Sequence, residues 1–227
     1  MKNILCLQHV AFEGPGYFQK VFEDLGCRLD RRLVPEIGVP REWPDALLVM
    51  GGPMSVNDPD GWILRESEFI REAVARGVPY LGVCLGSQFL AKAIGGQVGP
   101  GPAFELGMTG IQLTDAAAHD PLFRRLPPQL EVFQWHGEGI TLPPGAVPLA
   151  RSTHYPVQAF RHGRAAYGLL FHVEIEAAGV DALCQHGEAE LARARRDAAE
   201  VEEETSPHLT ALNRVARQLG RAFVDLL

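Results

Sequence analysis

Cys84 stands between two glycines in Gly82-Val83-Cys84-Leu85-Gly86, directly after the apolar run Pro79–Val83 and before the helical pattern Ser87–Ile94. A G-x-C-x-G motif between a strand and a helix is the setting of a nucleophile elbow. The bend holds the nucleophile in a strained backbone, and the flanking glycines remove the Cβ atoms that would collide with it. The helix that follows turns unpaired N–H groups and a positive dipole end toward the sulfur, which favours thiolate. The Leu85 amide is then placed to donate to an oxyanion. The same heptapeptide also fits a small core cysteine beside a turn. A partner base has to decide between the two.

Of the eight histidines, His172 is the candidate. In Gly168-Leu-Leu-Phe-His-Val-Glu174 an apolar strand runs into His172, and Glu174 follows two residues later. Residues two apart on a strand face the same way, so the carboxylate can orient the imidazole. Cysteine, histidine and an acid form the general activated-thiol arrangement. His136, in Phe-Gln-Trp-His-Gly-Glu, also ends a strand and is the second candidate base. His9, His119, His154, His162, His186 and His208 fall in expected loops or helix faces without a matching strand-end carboxylate. No H-x-x-x-H or C-x-x-C pair exists, so no metal is expected, and no motif calls for a cofactor.

The elements that must position these residues alternate. Ile4–Gln8, Cys27–Val34, Ala46–Met50 and Pro79–Val83 read as strands, with helices over 17–25, 62–76 and 87–94 between them. That βαβα pattern predicts an α/β fold: an open, mostly parallel sheet with helices on both faces, flavodoxin-like and three-layered. Short runs at 106–113, 130–135, 147–152, 157–161 and 165–171, punctuated by Pro and Gly, predict an added antiparallel segment. A helical tail follows from about residue 177. Its charged stretch Glu188–Glu204 reads as a solvated face or a mobile connector. One domain spanning 1–227 is expected.

The chain carries 46% apolar and 22% charged residues, with a net charge of −7. No basic face is implied, so neither nucleic acid nor a membrane surface is an expected partner. The four widely spaced cysteines and the short apolar start at Met1 suggest a reduced, cytoplasmic protein.

Four blocks together resemble the class I glutamine amidotransferases, and within them the stand-alone relatives of the GMP synthase glutaminase domain. They are Met50–Val56 (MGGPMSV), Gly82–Ala91 (GVCLGSQFLA), Phe133–Glu138 (FQWHGE), and Tyr155–Arg161 with Tyr167–Glu176. The resemblance implies Cys84 as nucleophile, His172 as general base and acid, and Glu174 as its orienter. It implies an oxyanion hole from the Gly52 and Leu85 amides, and glutamine held by Gln88 and by the chain near Gly52, Trp135 and His136. Leu170 and Val173 stand where relatives commonly have Gln and Pro. The implied activity is hydrolysis of a small γ-glutamyl substrate, glutamine itself, with a separate synthase subunit as partner because no P-loop or acceptor unit is recognised. The alternatives are a γ-glutamyl peptidase releasing a larger amine, and a redox-sensing or binding module on the same fold.

Overall fold

Strands buried on both faces need alternating side chains that feed two separate cores, and the first strands here do this residue by residue. A computed structural model describes all 227 residues. In β1 (Asn3–Gln8), Ile4 and Cys6 enter one apolar cluster while Leu5 and Leu7 enter the other. β3 (Ala46–Val49) and β4 (Tyr80–Val83) repeat the pattern: Leu48 and Leu81 face one side, Leu47 and Tyr80 the other. On the first side lie α1 (Tyr17–Asp24) and the closing helix α8 (Leu209–Val224), joined through Phe22 and Phe223. On the second lie α3 (Gly61–Ala75) and α4 (Leu85–Ala93). The remaining helices are α2 (Val34–Ile37), α5 (Ala177–His186), α6 (Glu188–Ala194) and α7 (Ala198–Thr205).

β2 (Arg28–Leu33), β5 (Gln97–Leu113), β6 (Gln129–Thr141), β7 (Val147–Arg151), β8 (Ala159–His162) and β9 (Ala166–Leu169) complete one nine-stranded sheet of order β2-β1-β3-β4-β9-β8-β7-β5-β6. Pairing is parallel from β2 through β9 and antiparallel across the other four contacts. The sheet is therefore evenly mixed rather than mostly parallel. The difference comes from β5 and β6, which extend as a long hairpin well beyond the short runs read from sequence. Gly99-Pro100-Gly101 looks like a loop, yet the strand passes through it by shifting register between Pro100 and Glu105. A bulge absorbs the residues that cannot join the ladder.

The charged stretch 188–204 is also not a free connector. Arg196 Nη2 donates to Glu204 Oε2 at 2.7 Å, and Glu204 Oε1 accepts from the Met108 amide at 3.1 Å, so α7 is clasped onto β5. Val201 between them is fully buried. Charge hid the single apolar stripe that seats this helix.

Candidate active site

β4 delivers Cys84 at its carboxyl end, in the crevice that open parallel sheets offer to ligands. Cys84 adopts φ 50° and ψ −109°, one of two non-glycine residues in the chain with positive φ. A residue is held in such a region only when its surroundings over-determine it. Here the Cys84 amide donates to Leu169 O of β9 at 2.7 Å, and its carbonyl accepts from Ser87 Oγ at 2.7 Å. The flanking glycines permit the bend. A Cβ on Gly82 would lie 2.8 Å from Ser87 N, and one on Gly86 2.7 Å from the Val49 carbonyl carbon. The helix α4 starts at the residue after the cysteine; Gly86 N donates to Met50 O and the Ser87 and Gln88 amides to Cys84 O, which leaves the Leu85 amide without an acceptor in the protein. In this state the thiol points to Trp135 O at 3.8 Å.

His172 reaches the site by a different local route from the one expected. β9 ends at Leu169, and His172 lies beyond it, held by a single bridge to Phe133 of β6. The chain then bends, so that Glu174 Oε1 meets His172 Nδ1 at 2.7 Å while Glu174 Oε2 accepts from the Val173 amide at 3.0 Å. All three groups are buried. Burial alone would lower the His172 pKa. The Glu174 charge and the neighbouring Cys84 sulfur outweigh it and hold the imidazolium well above its ordinary value. Cys84 and His172 converge on Gly51. A Cβ there would sit 3.3 Å from His172 Cε1 and 3.6 Å from Cys84 Cβ, and would run into the Glu13 carboxylate. Only glycine leaves this corner open.

Gly52, Gln88, Trp135 and His136 line a cavity of about 620 Å³ together with Cys84. Leu85 opens α4 beside Gly52, within 3.1 Å of where a Gly52 Cβ would lie. His172 and Glu174 line a smaller neighbouring cavity instead, and Leu85 lines neither, although its side chain packs against Gly52. The second candidate base has other partners. His136 Nε2 lies 3.0 Å from Gln134 Oε1 and 3.4 Å from Glu105 Oε2. Glu105 also accepts from Ser152 Oγ and Gln158 Nε2. Burial would raise the Glu105 pKa, but His136 and Ser152 hold it below the usual carboxylate range.

Several residues at the site were not singled out by sequence. Glu13, in the loop after β1, borders both the main cavity and a smaller one of about 210 Å³ behind His172 and Glu174. Burial pushes its carboxyl up to about 7. The tail contributes Leu183, His186, Glu190 and Arg193 to the main cavity wall. His9 has a carboxylate partner that comes from a helix and not from a strand end: Glu66, 3.0 Å away on α3. Spacing of 57 residues between those two carries no local signal. Leu170 and Val173, the positions that differ from the family pattern, are both buried in the two apolar clusters.

Residues 21–181 match the family model for class I glutamine amidotransferases. The glutamine amidotransferase-like protein YfeJ of Salmonella typhimurium is 33% identical over 195 residues, covering 82% of each chain. The GMP synthase (glutamine-hydrolyzing) of Thermomicrobium roseum is 36% identical over 138 residues, which cover 58% of this chain and 24% of that longer one. The crystal structure of a glutamine amidotransferase from Methylobacillus flagellatus superposes with a TM-score of 0.91 at 31% identity, covering 100% of this chain and 96% of that one. Family model, sequence relative and superposed fold agree, and this chain belongs to the class I glutamine amidotransferase family.

Proposed function

We propose that this protein hydrolyses γ-glutamyl amides through a thioester on Cys84. The observation that carries the reading is the convergence on Gly51 of a strained cysteine and a histidine held by a buried carboxylate. The thiolate adds to the side-chain carbonyl carbon, and the C=O electron pair moves to oxygen. The Gly52 and Leu85 amides receive that oxyanion. His172 gives its proton to the departing nitrogen as the C–N bond breaks, leaving a γ-glutamyl thioester. It then takes a proton from water, whose oxygen attacks the thioester and releases glutamate and the thiolate. Glu174 keeps the ring oriented and its charge balanced throughout.

The cavity favours a second reading of what leaves. At about 620 Å³ it exceeds what free glutamine fills, and Asp58, Glu138 and Glu190 outnumber the single guanidinium, Arg193, on its walls. A larger, cationic amine on the γ-carbonyl would use that space. The deciding experiment is a product assay for glutamate and released amine with glutamine, γ-glutamyl dipeptides and γ-glutamyl diamines. Cys84→Ala should remove all turnover. Near-wild-type hydrolysis by that variant, or no hydrolysis of any γ-glutamyl compound by the wild type, would end the proposal.

A further inference from the structure

We infer that His9, held by Glu66, is a positioning residue that fixes the Gly51–Gly52 peptide and so aims the Gly52 N–H at the developing oxyanion. The inference rests on the hydrolase reading above. Its basis is the geometry of one peptide unit. His9 Nδ1 lies 2.9 Å from Gly51 O. In a planar trans peptide the carbonyl and the following N–H point to opposite sides. Holding Gly51 O against His9 therefore turns the Gly52 N–H the other way. That amide donates to no acceptor in the protein, and Gly52 lines the cavity beside Cys84.

A peptide between two glycines is the kind that turns over easily, because neither residue has a Cβ to resist rotation. Neither glycine can be replaced to stiffen it. A Cβ at Gly51 would strike Glu13, and one at Gly52 would lie 2.6 Å from Met54 Sδ and 3.1 Å from His9 Cβ. Rigidity has to come from outside the dipeptide, and His9 supplies it. To donate through Nδ1 the ring must carry a proton there. Glu66 Oε1 sits 3.0 Å from Nε2 and sustains the doubly protonated ring, in which both nitrogens donate. Burial alone would lower the His9 pKa, and Glu66 reverses this. Trp62 and Phe89 both stack on the ring, at 5.8 and 5.5 Å between centroids. Their faces favour its charge.

Stability does not explain this pair. Buried ion pairs are commonly no better than apolar residues of similar volume. Glu66 is fully buried on the face of α3 that carries Ile63, Phe69, Ile70 and Ala73, and its Oε2 accepts from no donor of the protein. A buried, half-satisfied carboxylate needs a reason, and orientation of the Gly51 carbonyl is the one its geometry supplies.

The test uses the double variant His9→Phe/Glu66→Leu, which keeps the stack and removes both charges without stranding one. Turnover should fall about 100-fold with little change in KM. Alkylation of Cys84 by iodoacetamide forms no oxyanion, so it should keep its rate. A crystal structure of the variant should show the Gly51 carbonyl rotated. In the Glu66→Leu background, His9→Asn puts an amide N–H near the former Nδ1 and should recover turnover at least about tenfold over the double variant. Turnover within about threefold of wild type, or loss of alkylation in step with turnover, would overturn the inference. Should the wild type hydrolyse no γ-glutamyl amide, the hydrolase reading fails on its own. The crystal structure then still decides: an unmoved Gly51 carbonyl overturns the positioning role, and a rotated one supports it.

Discussion

At the residue scale, the site trades stability for geometry. Cys84 at φ 50° sits where an L side chain is strained, at a cost of roughly 1–3 kcal/mol. Cys84→Gly should relieve the strain and raise stability by about 1 kcal/mol, after the extra freedom glycine gives the unfolded chain. Denaturant unfolding checks this, and the same variant should have no hydrolytic activity. His172 gives a second, pH-dependent prediction. Its folded pKa is raised, so the stability from its charged form is complete below about 6.5 and is lost as pH rises through the raised value. In Glu174→Gln the opposing effect of burial prevails. The alkaline limb of kcat/KM should move to lower pH, and the loss of Tm relative to wild type should be larger at pH 6 than at pH 10. A glutamine that left the alkaline limb in place would remove Glu174 from the role assigned to it.

At the scale of elements, the site depends on how closely α4 approaches β3 and β4. Gly86 is the contact point, with Val49 Cβ 3.1 Å from where its own Cβ would be. Backbone on the far side cannot yield as a flexible side chain would. Gly86→Ala should therefore push α4 outward and cost about 1–3 kcal/mol. It should also reduce kcat more than KM is raised, because the Leu85 amide moves with the helix. The strands that set this approach were legible in the sequence, since continuous apolar runs ending in glycine mark buried parallel strands. The β5–β6 hairpin was less legible. Proline and glycine at 99–102 read locally as a loop, and only pairing with β6 makes that segment part of a strand.

At the scale of the whole molecule, the helical tail is a wall of the cavity as well as a cover for the core. α5 and α6 bring Leu183, Glu190 and Arg193 to it, and the Arg196–Glu204 clasp on β5 holds the following helix in place. Glu204→Ala removes one partly buried ion pair and the acceptor for the Met108 amide. It should destabilise the protein by about 1 kcal/mol and open the 188–204 region to limited proteolysis. If protease resistance is unchanged, the clasp does not hold the tail. The chain carries no helix long and apolar enough to cross a membrane.

The sequence by itself determined the local chemistry. Cys84 between its glycines, Glu174 two residues after His172, and the alternating strands and helices were all readable because each depends on neighbours within a few positions. Tertiary structure alone decided what meets across the chain. It set Gly51 as the corner where Cys84 and His172 converge, put Glu13 between two cavities, and paired His9 with Glu66. Such contacts are made by packing elements far apart in sequence, and side-chain spacing along one strand or helix contains no record of them.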